Sequence, residues 1–285
     1  MLDEQASPPD RSRLVAESTL EEIEHLQSDR SHRDTRRAFY AEGVRNVVEA
    51  VANGWHVETL IHSDPLLLKV PIARRLARHQ RQSGIPTLHV SPEAFRRVSR
   101  TRHASGVGAI VGQRWSPLHS ASPRAGLCWV VLEAVRSEGN LGSLIRTSEA
   151  FGGAGFILIG PRIDLFDPTV VRASMGALFR QKCIRTNVTS LRHWLRRHRC
   201  QAVGASPEGA FELHRFDYPR PTILFLGEER GGLSPIQRDL CRYLVRIPMV
   251  GAADSLNLAV AGSLLMYEIY RGGGTRSGGP IGHKP

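Results

Sequence analysis

Near its end the chain runs Ile247-Pro248-Met249-Val250-Gly251-Ala252-Ala253-Asp254-Ser255-Leu256-Asn257 straight into an apolar segment that reaches about Arg271. Tyr243, Val245 and Ile247 alternate as in a strand. Pro248 ends the ladder because it has no N–H to give, and Ser255 or Asn257 can cap a following helix. Leu256, Leu258, Val260, Leu264, Leu265, Met266 and Ile269 spread around most of that helix, so it is expected to be buried rather than laid on a surface. A buried last helix enters a core that the rest of the chain has already built. The plainest reading is a terminal core helix behind an α/β sheet.

The sequence upstream supports such a sheet. Leu127 to Leu132, Gly155 to Ile159, Gln201 to Ala205, Thr222 to Leu226 and Tyr243 to Ile247 read as buried parallel strands, with helices near 141–151, 190–199, 235–241 and 256–270. Residues 113–126 have the composition of a linker. Before them lies a smaller alternating unit: strands at 38–41, 57–62, 86–90 and 107–111, and a helix on which Val44, Val47, Val48 and Val51 share a face. A basic helix is expected over 72–82, and Ser91-Pro92-Glu93 is a helix start. The expected organisation is an acidic tail over 1–33 containing one short helix over 18–26, a small α/β domain over 34–112, the linker, a larger α/β domain over 127–271, and a flexible Gly/Ser-rich tail over 272–285.

Charge separates these regions. Residues 1–29 carry two Arg against eight acids, whereas 30–125 carry sixteen basic residues against six acidic ones. A basic unit that uses Arg almost exclusively suits phosphate contacts and stacking on bases, so Arg45, Arg74, Arg75, Arg78 and Arg81 are candidate RNA contacts. Cys128, Cys183, Cys200 and Cys241 have no paired spacing and read as reduced thiols, so no metal is expected. No apolar run has the length of a membrane span, and the acidic start lacks the order of a signal peptide, which points to the cytoplasm.

Three polar clusters fall where strands of the larger unit end, the position at which open α/β sheets hold ligands. The first is Gly139-Asn140-Leu141-Gly142-Ser143-Leu144-Ile145-Arg146, with Asn140 a candidate cap. The second is Phe225-Leu226-Gly227-Glu228-Glu229-Arg230-Gly231-Gly232-Leu233-Ser234, an apolar strand opening into a glycine-rich loop. The third is the stretch holding Ser255 and Asn257. Neither Gly-x-Gly-x-x-Gly nor a P-loop is present, which removes the best evidence for dinucleotide or nucleoside-triphosphate binding.

Asn140-x-Gly142-x-x-x-Arg146, Gly227-x-Glu229-x-Gly231, and Ile247-Pro248-Met249 with Ser255-Leu256-Asn257, in this order, resemble the three motifs of the SpoU (TrmH-like) 2′-O-ribose RNA methyltransferases of the SPOUT superfamily. Val171 to Phe179 resembles the family's intermediate segment. The unit containing Glu42-Gly43-Val44-Arg45 resembles the family's L30e-like RNA-binding domain. One departure stands out: Ser137-Glu138 occupy positions where the family often has Asp-Pro.

The resemblance implies an α/β fold with a parallel sheet and a deep C-terminal trefoil knot. It implies an S-adenosylmethionine site carried by Gly227, Ile247, Leu256, Met249, Ala205, Ser206 and Leu226, and an isologous homodimer whose subunits share the site. It also implies catalytic roles for Arg146, Asn140, Glu229, Ser255 and Asn257, no metal, and RNA as substrate. The RNA-binding domain is found mainly in ribosomal members, which favours 23S rRNA over tRNA. A catalytically silent RNA-binding protein on the same fold is the rival reading, disfavoured by the full set of polar residues.

Overall fold

The computed structural model describes residues 11–67 and 84–274. The chain forms two compact units, 1–113 with 166–168, and 114–165 with 169–285.

The first unit contains α1 (Arg11–Ser28), α2 (Arg30–Arg36), β1 (Ala38–Glu42), α3 (Val44–Ala52), β2 (Val57–His62), the short α4 (Asp64–Leu67), β3 (Thr87–His89), α5 (Pro92–Val98) and β4 (Val107–Gly112). Its sheet has the order β1-β4-β2-β3. Strand β4 is antiparallel to both its neighbours, and β2 and β3 are parallel. Ser91 caps α5 by accepting from Ala94 N at 3.2 Å, with Pro92 in the first turn as expected. The basic helix expected over 72–82 lies outside the described residues, as do its Arg74, Arg75, Arg78 and Arg81.

The acidic segment differs from the expected tail. Leu20, Ile23 and Leu26 recur at three-residue steps along one face of α1 and are buried in a cluster with Ala38, Tyr40, Ile61 and Phe95. The acids occupy more exposed positions, where Glu17 and Glu24 each approach Arg97 at 2.6 Å. A high acid count signals solvation only when no apolar stripe accompanies it, and here one does.

From residue 114 onward the elements are β5 (Cys128–Leu132), α6 (Glu138–Ala150), β6 (Gly155–Ile159), α7 (Pro168–Ala173), β7 (Lys182–Thr186), α8 (Val188–Arg197), β8 (Gln201–Ala205), β9 (Phe211–Glu212), β10 (Thr222–Phe225), α9 (Pro235–Leu240), β11 (Tyr243–Arg246) and α10 (Leu258–Gly274). The sheet runs β7-β6-β5-β10-β8-β11-β9, and every neighbouring pair is parallel. Strands β5, β6 and β10 bury every residue, which is why they read as unbroken apolar runs. Strands β7 and β9 add to the expected set: β7 has only the two apolar residues Cys183 and Ile184 between Lys182 and Arg185, and β9 has only two residues, so neither makes an apolar run.

The segment with linker composition also packs. Ala121 is 3% exposed within the core around Trp129 and Ile157, and Trp129 Nε1 donates to Ser122 O at 2.8 Å. Cys128 and Cys183 are buried, and burial pushes their thiols up to about 12, as suits reduced core residues.

Helix α10 lies along α6. Ser263 Oγ donates to Thr147 Oγ1 at 3.0 Å, and a Cβ on Gly262 would come within 2.4 Å of Leu144 Cδ1, so the glycine leaves room for the Leu144 side chain between the two helices. Leu258, Leu265, Met266 and Ile269 are buried. Val260, Leu264, Tyr267 and Tyr270 are 39–48% exposed, so burial is one-sided rather than all-round. The helix continues to Gly274, past the expected end at Arg271.

Candidate active site

Strands β10, β8 and β11 lie side by side, so their C-terminal ends converge, and a cavity of about 410 Å³ opens there. Ala205 and Ser206 reach it from the end of β8, Leu226 and Gly227 from the end of β10, and Ile247, Met249 and Leu256 from the segment after β11. All seven residues predicted to bind cofactor line this one cavity. The position is the one at which open parallel sheets bind ligands, beyond the carboxyl ends of the strands.

The glycine loop forms a tight hairpin: Glu228 and Gly232 exchange backbone hydrogen bonds at 3.0 and 2.9 Å. A Cβ on Gly227 would lie 2.0 Å from Gly232 C and 2.3 Å from Leu233 N, so no side chain fits while the loop is closed. Ser234 then caps α9 in a capping box with Gln237, whose Nε2 also donates to Leu226 O at 3.3 Å and ties the cavity wall to the helix start.

Of the predicted catalytic residues, Glu229 and Ser255 line the cavity, while Asn140 and Asn257 join it through hydrogen bonds. Asn257 Nδ2 donates to Asn140 Oδ1 at 2.9 Å, and Asn140 Nδ2 donates to Glu229 Oε1 at 3.1 Å. Three motifs far apart in sequence thus form one polar chain. Asn257 Oδ1 also accepts from Ala259 N at 2.9 Å, so of the two candidate caps for the last helix it is Asn257 that serves.

Asn140 does not cap α6. It is the third helical residue, and the N-cap position falls to Ser137, whose side chain makes no capping bond. The Glu229 carboxylate takes that place by accepting from Arg136 N at 2.9 Å and Ser137 N at 3.3 Å. An acid at a helix start meets the N–H groups that have no partner within the helix and the positive end of its dipole. Burial opposes ionisation of Glu229, but the N–H groups of Arg136 and Ser137 and the Asn140 amide outweigh it and hold the carboxyl below the usual range.

Arg146 stands apart. It is exposed on α6, makes no hydrogen bond or ion pair among the described residues, and does not line the cavity. Six residues after Asn140, it is turned roughly 120° away from that side chain around the helix. One turn before Arg146 and on the same flank of α6, a Cβ on Gly142 would meet Ala173 Cβ at 2.5 Å and Val170 O at 2.8 Å, so this glycine lets the segment resembling the family's intermediate stretch press against the helix. In the first unit Arg45 is exposed on α3.

Residues 18–109 match the MRM3-like substrate binding domain, and residues 128–267 match the SpoU rRNA Methylase family. The 23S rRNA (uridine(2479)-2′-O)-methyltransferase of Streptomyces viridochromogenes is 32% identical over 272 residues, covering 93% of each chain. The chain belongs to the SpoU rRNA methylase family. An AdoMet-bound rRNA methyltransferase from Sinorhizobium meliloti superposes with a TM-score of 0.80 at 34% identity, covering 89% of this chain and 94% of that one. The SpoU methyltransferase AviRb from S. viridochromogenes, in complex with AdoMet, gives 0.79 at 31% identity, covering 89% and 97%.

Three further charged residues line the cavity that the sequence did not single out. Glu228 and Arg230 sit inside the glycine motif, and Asp254 lies one residue before Ser255. Alternation of glycines with charged residues was the available signal, but spacing alone does not say which side chains turn inward. No helix among the described residues is long and apolar enough to cross a membrane.

Proposed function

We propose that this SpoU-family chain methylates a ribose 2′-hydroxyl of RNA with S-adenosylmethionine as donor. The observation that carries the reading is the convergence of the cavity at Gly227, Ile247 and Leu256 with the Asn257–Asn140–Glu229 chain. The cavity suits the cofactor: its volume is in the range of small-molecule sites, and Leu226, Val245, Ile247 and Leu258 offer apolar walls for an adenine and an alkyl chain. Carboxylates of Glu229 and Asp254 on the lining face the space a sulfonium would occupy, while Glu228 is paired with Arg136.

When bound, S-adenosylmethionine supplies a methyl group on a sulfonium, which departs without help from a metal. The protein must hold the hydroxyl in line and stabilise charge. Asn140, with its amide fixed from both sides, is suited to orient the hydroxyl, and Ser255 shapes the same wall. Arg146 is too weak a base to take the proton, so it positions the substrate and stabilises developing negative charge while the proton passes to phosphate or water.

Because Arg146 does not reach the cavity of its own chain, we assign it to the cavity of a second copy. The exposed stripe Val260, Leu264 and Tyr267 beside α6 is the surface a homodimer would cover. We read the turn from Ile247 to Leu256 and helix α10 as the threaded end of a trefoil knot, and place the protein in the cytoplasm with its RNA.

The relative's activity and the substrate-binding domain favour large-subunit ribosomal RNA, with Arg45 and the arginines at 74, 75, 78 and 81 as contacts. Full-length protein is to be given labelled S-adenosylmethionine with protein-free 23S rRNA and with bulk tRNA. Label in 23S rRNA is the expected result. Label in tRNA alone overturns the substrate assignment, and label in neither overturns the activity.

A further inference from the structure

At the rim of the cavity, Glu228 is held from two sides by cations. Arg136, in the loop before α6, sets its Nε against Oε1, and Arg162, in the loop after β6, brings Nη2 within 3.7 Å of Oε2. The Glu228 side chain is 18% exposed, whereas those of Arg136 and Arg162 are 53% and 61% exposed. Two guanidiniums thus converge on one carboxylate at the cavity's edge. Arg230, exposed on the same glycine loop and lining the cavity, adds a third guanidinium to this rim.

Stability is a weak reason for such a cluster, because ion pairs between side chains this exposed contribute little. Recognition is a better one. Guanidinium groups present forked N–H donors that match the oxygens of a phosphate, and they hold their charge at any physiological pH. In a ribonucleotide the 2′-oxygen and the 3′-phosphate are separated by a few covalent bonds. A hydroxyl presented to the cavity therefore brings a phosphate to the cavity's edge.

We propose that Arg136 and Arg162 form the phosphate-binding pair for the nucleotide being methylated, and that Glu228 is a resident anion which the phosphate displaces. Until RNA arrives, the carboxylate relieves repulsion between the two arginines and keeps them aimed at one point. The proposal rests on the RNA-methyltransferase reading and adds to it the residues that seat the target.

The test measures binding of full-length protein to protein-free 23S rRNA across a salt series, with S-adenosylhomocysteine affinity and the KM for RNA measured separately. Arg136→Ala with Arg162→Ala should weaken RNA binding at least tenfold, raise the KM for RNA, and flatten the log–log salt dependence by roughly one unit, while S-adenosylhomocysteine binds as before. Lysine at both positions should restore part of the affinity. Glu228→Gln, which removes the competing anion, should tighten RNA binding severalfold. RNA affinity and salt slope unchanged in the double alanine variant would overturn the proposal. So would loss of S-adenosylhomocysteine binding with RNA affinity intact, which would give the arginines to the cofactor's carboxylate. Binding is read apart from methyl transfer, so an inactive wild-type protein refutes the parent reading without deciding this one.

Discussion

Asn257 donates to Asn140 at 2.9 Å across 117 positions of sequence, and Asn140 passes the contact on to Glu229. Each residue comes from a different motif, so removing one leaves the other two misaligned. Asn140→Ala and Asn257→Ala should each lower methyl transfer by about two to three orders of magnitude, the scale of one lost transition-state contact. S-adenosylhomocysteine affinity, measured by calorimetry, should barely change. The double variant should be scarcely worse than either single one, as expected of residues acting as a unit, whereas additive losses would mean independent roles.

Glu229 joins this chain to the start of α6. Its carboxyl titrates below the usual glutamate value, so its hydrogen bonds stabilise the fold above the unfolded pKa, about 4.3, and are lost as pH falls through the lower folded value. Glu229→Gln should therefore cost about 1 kcal/mol at neutral pH, below the roughly 1.5–3 kcal/mol of a charged hydrogen bond because solvent screens a partly exposed group. Denaturation followed from pH 7 to pH 3 should show the gap between wild type and variant closing only below about pH 4.3. A gap that stays constant through that range would remove the cap from Glu229.

Gly227→Ala places a methyl group 2.0 Å from the Gly232 carbonyl carbon, which only a shift of the loop backbone can relieve. Overpacking of this kind costs about 1–3 kcal/mol. The variant should fold with a lowered Tm and bind S-adenosylhomocysteine at least about tenfold more weakly, since a shift worth 1.4 kcal/mol is a factor of ten. Wild-type affinity in this variant would mean that the loop does not contact the cofactor.

A shared site predicts complementation between inactive subunits. Arg146→Ala and Asn257→Ala homodimers should both be nearly inactive, yet mixed dimers should regain activity because one of their two sites is assembled from intact parts. Leu264→Arg, in the exposed stripe of α10, should shift the sedimenting mass from twice 31.5 kDa toward 31.5 kDa and abolish transfer. No recovery in mixed dimers, or an active monomer, would assign Arg146 to its own chain.

Ile23 tests the first unit. It is fully buried on α1, so Ile23→Ala should cost about 2–5 kcal/mol in denaturant unfolding, against a few tenths for a residue in a solvated tail.

The parallel strands were legible because residues such as Phe156, Ile157 and Leu158 are buried on both faces of the sheet and leave an unbroken apolar run. The seven cavity residues were legible through the family resemblance, since nothing in local spacing brings Ala205 beside Met249. What misled were single-element inferences. Eight acids near the start hid the Leu20–Ile23–Leu26 stripe, and Asn140 fits a helix cap by residue type although Glu229 does that work from 92 positions beyond Ser137. Likewise Val260 and Leu264 count as apolar in any periodicity, but which side of a helix its own chain covers is a tertiary fact. The Arg136–Glu228–Arg162 cluster was invisible for the same reason, as its members sit in three separate loops.

The bond from the Glu229 carboxylate to the amides of Arg136 and Ser137 gives the molecule a built-in spectroscopic reporter. Those two amide protons sit outside the cavity but answer to a carboxylate on its wall, so any movement of the glycine loop changes their hydrogen-bond length and hence their resonance frequency. In a nitrogen-15 labelled sample, Arg136 and Ser137 would register filling and emptying of the cavity without a probe attached to the protein or the ligand.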